Sequence, residues 1–153
     1  MKELVVIIDV SGSMYAMGKI SVVGNALSTL SALENLGDDD SKVSVEKMQW
    51  DGTCSGLEKL LEKNTGRNIL LLTDGYALTD DCKSSKTIKK ILEESVDNFF
   101  VVLCGGDSFN VSAAKEFRRV RTVDAGNIVY AVECFSDSER SDENQEKKED
   151  DWE

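Results

Sequence analysis

The sequence predicts an α/β protein: a doubly wound, mostly parallel sheet of five or six strands with helices on both faces. Three observations predict it. Short apolar, β-branched runs recur through the first 135 residues, amphipathic stretches separate them, and polar Asp-, Ser- and Thr-bearing segments follow the first three runs. A continuous apolar run marks a strand covered on both faces. Strict alternation of such strands with helices makes the sheet parallel.

The elements follow in order. Leu4–Ile8 (LVVII) reads as the first strand, buried on both sides. Ile20, Val23, Leu27, Leu30 and Leu33 recur at three and four, which predicts a helix over about 18–36 with that stripe facing the core. Gly37 stops it. Val43–Trp50 is the second strand, and Ser55–Lys63, with Leu57, Leu60 and Leu61, a short helix. Asn68–Leu72 is the third strand, Ser84–Val96 a helix, and Phe99–Leu103 the fourth strand, with Phe99 and Phe100 on opposite faces. Val111–Arg119 reads as helical, Val120–Val123 as a fifth strand and Asn127–Phe135 as a last helix.

The organisation is therefore one domain, residues 1–135, and an acidic tail, residues 136–153. The tail holds nine acidic and three basic residues, more than half of the formal net charge of −11. It is almost without apolar side chains before Trp152, so it is expected to be disordered.

Charge and composition exclude several functions. Twenty-nine acids against 18 bases oppose binding to a nucleic-acid backbone or to an anionic membrane surface. No window is long and apolar enough for a membrane span, and the N-terminus lacks a signal-peptide pattern. The chain has no histidine, which removes Ser-His-Asp and Cys-His catalysis and histidine metal sites. The four cysteines, Cys54, Cys82, Cys104 and Cys134, form no C-x-x-C pair, which argues against zinc and fits reduced thiols in a cytoplasm.

In an open parallel sheet, ligands bind beyond the carboxyl ends of the strands. Asp9-Val10-Ser11-Gly12-Ser13 follows the first strand, Asp51-Gly52-Thr53 the second, and Thr73-Asp74-Gly75 the third. Carboxylates and hydroxyls concentrated there form a hard oxygen set suited to Mg2+. In Asp9-x-Ser11-x-Ser13, alternate residues can point the same way, and Gly12 permits the turn. Each residue also has an ordinary use. Ser11 and Ser13 could cap a helix, Asp74-Gly75 could be a simple turn, and Thr53 a surface residue. Their conjunction at three strand ends favours a site.

The motifs VVIIDVSGSM, WDGTCSGLEKLL and ILLLTDGYALTDD, in that order, resemble the von Willebrand factor A domain with its metal-ion-dependent adhesion site. The resemblance covers about residues 1–135. It implies a non-catalytic, metal-dependent protein-binding module of a minimal intracellular type. By the match, Asp9, Ser11, Ser13, Thr53 and Asp74 would be the metal-site residues. The metal would be Mg2+, with Mn2+ or Ca2+ as alternatives, and a partner protein's Asp or Glu would complete its coordination. Members of this kind act in assemblies, often beside an AAA+ ATPase or in stress-response systems. Two departures stand out. Only one strand fits before Asp51, where the family usually has two, one of them an antiparallel edge strand. No proline follows T-D-G, so the loop Tyr76–Asp81 departs from the family's usual form.

Met14, Tyr15, Met17 and Tyr76 flank these loops. An apolar and aromatic rim around a polar centre suits a binding surface, and Met14, Tyr15 and Tyr76 are the expected partner-binding rim. The rival reading is an enzyme, a HAD-type Mg2+-dependent phosphohydrolase using Asp9. Its signature needs a second aspartate two residues on, and Ser11 stands there. Asp80-Asp81 is only a weak match to its later acidic signal. The absence of G-x-G-x-x-G after the first strand opposes a dinucleotide-binding domain.

Overall fold

The computed structural model describes residues 2–36, 42–78, 85–94, 98–105 and 121–135. In chain order these form β1 (Lys2–Asp9), a 3-10 turn (Gly12–Tyr15), α1 (Lys19–Leu36), β2 (Val43–Trp50), α2 (Cys54–Lys63), β3 (Asn68–Thr73), α3 (Lys86–Glu94), β4 (Phe99–Leu103), β5 (Arg121–Asp124), a second 3-10 turn (Ala125–Asn127) and α4 (Ile128–Cys134). The expected helix at Val111–Arg119, the loop end at Asp80-Asp81 and the acidic tail lie outside the described residues.

The five strands make one sheet in the order β2-β1-β3-β4-β5. All four pairings are parallel, with Asp9 opposite Trp50 and Leu71 opposite Val101. The fold is thus the α/β, Rossmann-like one that the strand–helix alternation predicts. Among the described residues there is no antiparallel edge strand. The edge is β2 itself, where Ser44, Glu46 and Lys47 are at least partly exposed, a charged edge that resists pairing with another chain.

Period-two alternation divides the core into two layers. Val5, Ile7, Ile69, Leu71, Phe99 and Val101 pack on one face with Leu57 and Leu61 of α2 and Ile88 of α3. Leu4, Val6, Leu70, Leu72, Phe100 and Val102 pack on the other with Ala26 and Leu30 of α1 and Ile128, Ala131 and Val132 of α4. Phe99 and Phe100 therefore do point to opposite faces. All six residues of β3 are buried, and fully burying a side chain such as Leu71 is worth roughly 1.5–3 kcal/mol.

One detail of α1 departs from the periodic reading. Ile20, expected on the core stripe, is exposed, while the helix buries Lys19, Ala26 and Leu30. The rest of the stripe, Val23, Leu27, Leu30 and Leu33, packs on the core, and in the first turn Lys19 is buried in place of Ile20. Lys19 thereby reaches the sheet's carboxyl edge, where β1 and β3 end side by side. The chain leaves β1 for α1 on one face and leaves β3 for α3 on the other. This change of winding direction opens a crevice between the two strand ends.

Candidate functional site

Asp9 closes β1 and is buried, as is Asp74, which directly follows β3. A buried carboxylate is tolerated only when its oxygens are satisfied. Asp9 Oδ1 accepts the Ser11 N–H at 2.8 Å. Asp9 Oδ2 accepts the Thr73 hydroxyl at 2.6 Å, and Thr73 Oγ1 in turn accepts the Gly75 N–H at 3.0 Å. This relay ties the first loop to the third across the crevice. Both donors to Asp9 are neutral, and among the described residues no cation pairs with it.

Asp74 is held differently. Its Oδ1 accepts the Tyr76 N–H at 3.1 Å, an Asx-type turn. Its Oδ2 meets the Lys19 ammonium at 2.9 Å, and both side chains are shut off from water. Lys19 Nζ also donates to the Ser13 carbonyl at 3.4 Å and lies 5.0 Å from the centre of the Tyr76 ring, within cation–π range. Of the two buried carboxylates, the buried ammonium thus pairs with Asp74.

Ser11 Oγ is buried and has no hydrogen-bond partner among the described residues. Such orphaned groups are costly, about 1–3 kcal/mol, and in native proteins they call for a ligand, water or ion. The second loop lies against this serine. Gly52 has φ +88°, and a Cβ placed there would stand 2.7 Å from Ser11 Cβ. Only glycine allows so close an approach. Thr53, the next residue, caps α2: its hydroxyl accepts the Gly56 N–H at 3.1 Å and donates to Asp51 Oδ1 at 2.7 Å. The Thr53 hydroxyl and its backbone N–H hold the exposed Asp51 carboxyl below its ordinary range. A hydroxyl has two acceptor lone pairs, so Thr53 keeps one for a ligand.

Of the expected metal residues, Asp9, Ser11, Ser13 and Asp74 gather at the ends of β1 and β3. Thr53 is exposed on the adjoining loop. The donor chemistry fits a hard divalent cation. Every candidate is oxygen, and among the described residues one buried hydroxyl is unpaired and one buried carboxylate lacks a cation. Among the described residues no three Cys, Asp or Glu side chains are grouped to hold a metal, so hydroxyls must supply much of any coordination shell.

The rim reading needs one correction. Met14 packs into the core under the first loop, at 3% exposure, because its 3-10 turn folds the thioether inward, into the layer that holds Leu72 and Ala26. Tyr15 and Tyr76 are exposed, and so is Met17, which adopts a positive φ of 57°.

Sequence reasoning placed Thr73 in the third loop's set of oxygen donors but not among the five metal residues, and it missed Lys19. Lys19 had no signal, because a lysine at a helix start reads as solvated. Cys104, just after β4, is also near. Burial first, then the Asp74, Asp124 and Asp9 carboxylates, push its thiol up to about 12. It is therefore no nucleophile at neutral pH.

No protein-family model matches this chain, and no curated protein is significantly similar to it. Among the described residues no helix is long and apolar enough to cross a membrane.

Proposed function

We propose that this chain is a von Willebrand A-like, metal-dependent protein-binding module without catalysis of its own. Asp9, Ser11, Ser13 and Thr53, with Asp74, would hold Mg2+, or Mn2+ or Ca2+ in its place. The observation that carries this reading is the buried, unpartnered Ser11 hydroxyl beside a buried Asp9 that has only neutral donors. When bound, the ion supplies an electron-poor point that favours an anionic ligand, here a partner protein's Asp or Glu.

The chain's own residues do the rest. The Thr73 hydroxyl and the Ser11 N–H fix both oxygens of Asp9. Gly52 brings the Thr53 loop against Ser11. Tyr15 and Tyr76 offer exposed aromatic surface around the crevice, and aromatic anchors of this kind contribute about 2 kcal/mol or more when they are hot spots. Selectivity among cellular carboxylates would come from that rim. Among the described residues Cys104 and Cys134 are free thiols, which supports a cytoplasmic location. An intracellular assembly, including one built around an AAA+ ATPase, suits such a module.

The test is Mg2+ calorimetry on the wild type and Asp9→Ala, with circular dichroism to check folding. The wild type should bind one Mg2+ and the folded variant none. Equal affinity in the two proteins would remove Asp9 from the site and the reading with it.

A further inference from the structure

Lys19 is the feature that the metal reading leaves unexplained. A lysine at the first position of α1 ordinarily extends into water. Here its side chain is 2% exposed, and its ammonium sits on the carboxylate of Asp74, which is 0% exposed. It leans on the Ser13 carbonyl and lies under the Tyr76 ring. The ammonium therefore touches two of the residues assigned to the metal, the Asp74 side chain and the Ser13 backbone.

We propose that Lys19 is a tethered counter-cation that competes with the divalent ion for Asp74, so that metal entry releases the ammonium to solvent. The proposal rests on the metal reading above. Its physical basis is charge. Without metal, Asp74 would be a buried, unpaired carboxylate, and Lys19 neutralises it. A divalent ion at the same carboxylate places like charges side by side in a buried crevice, where repulsion is poorly screened. Exchange avoids this, because Asp74 keeps a cationic partner in either state and the ammonium regains its hydration. A lysine suits the part better than an arginine, being a compact charge on a flexible four-carbon stem. The neighbouring Tyr76 ring, 5.0 Å from the ammonium, belongs to a residue that is itself 49% exposed. Metal loading would thus add a positive charge next to the aromatic rim, where a partner's acidic group would meet it.

Two measurements on the full chain test this. In the first, Mg2+ and Mn2+ are titrated by calorimetry into the wild type and Lys19→Met, with folding checked by circular dichroism. Lys19→Met should bind at least tenfold more tightly. In the second, the wild type is reductively methylated with and without saturating Mg2+, and the Lys19 peptide is quantified by mass spectrometry. Modification of Lys19 should rise at least fivefold with Mg2+ and return to baseline with EDTA. Unchanged or weaker affinity in folded Lys19→Met, or unchanged labelling in a protein shown to be Mg2+-saturated, overturns the competition while leaving the metal site standing. If neither protein binds either ion, the metal reading itself fails and the competition falls with it. Should Lys19→Met fail to fold, the labelling of the wild type decides.

Discussion

Thr73→Val isolates the relay that joins the two loops. Valine nearly matches threonine in size, so the substitution leaves no large cavity and removes one hydroxyl. That hydroxyl makes two buried contacts, donating to Asp9 Oδ2 at 2.6 Å and accepting from the Gly75 N–H at 3.0 Å. Loss of a hydrogen bond to a charged group costs about 1.5–3 kcal/mol, and an orphaned buried N–H costs about 1–3 kcal/mol. Local relaxation shares part of that cost, so the expected loss is about 2–5 kcal/mol. For a chain of this size that lowers Tm by roughly 4–20 °C. Thr73→Ser keeps the hydroxyl and gives up one methyl, at about 1 kcal/mol. Urea unfolding in EDTA compares the three proteins with no contribution from bound metal. If Thr73→Val is as stable as Thr73→Ser, the relay does not hold the loops together and the reasoning fails.

Other outcomes follow from the same geometry. Gly52→Ala combines a positive φ with a 2.7 Å approach to Ser11 and should cost about 2–4 kcal/mol; a melting temperature within a degree of the wild type would contradict the close loop contact. The Cys104 thiol, raised from 9.0 to about 12 in the fold, stabilises the protein fully below pH 9 and loses that contribution as pH climbs towards 12, because the unfolded chain gives up its proton first. Cys104→Ala should flatten the alkaline decline in a pH series of urea midpoints, and an unaltered decline would refute the assignment. Generic phosphate esters with Mg2+ should show no turnover; hydrolysis that disappears in Asp9→Asn would promote the phosphohydrolase reading instead.

The sequence by itself determined the architecture. Buried parallel strands need apolar side chains on both faces, so LVVII, NILLL and FFVVL could hardly be anything else, and the amphipathic stretches between them had to cover the sheet. The positions of Asp9, Ser11, Asp51, Thr53 and Asp74 at strand ends were legible for the same reason: the carboxyl edge of such a sheet is where its loops gather. What the sequence could not show is how those loops pair across the edge. The first turn of α1 is one instance. Its apolar spacing allows Ile20 on the core stripe, but Ile20 stands in water while Lys19 is buried in an ion pair with a residue 55 positions away in the chain. Met14 is another, a residue beside the site by number and under it in space. Periodicity records which side chains avoid water. Only tertiary packing decides which charge lies opposite which, because that depends on strand order and on the direction each chain end takes as it leaves the sheet.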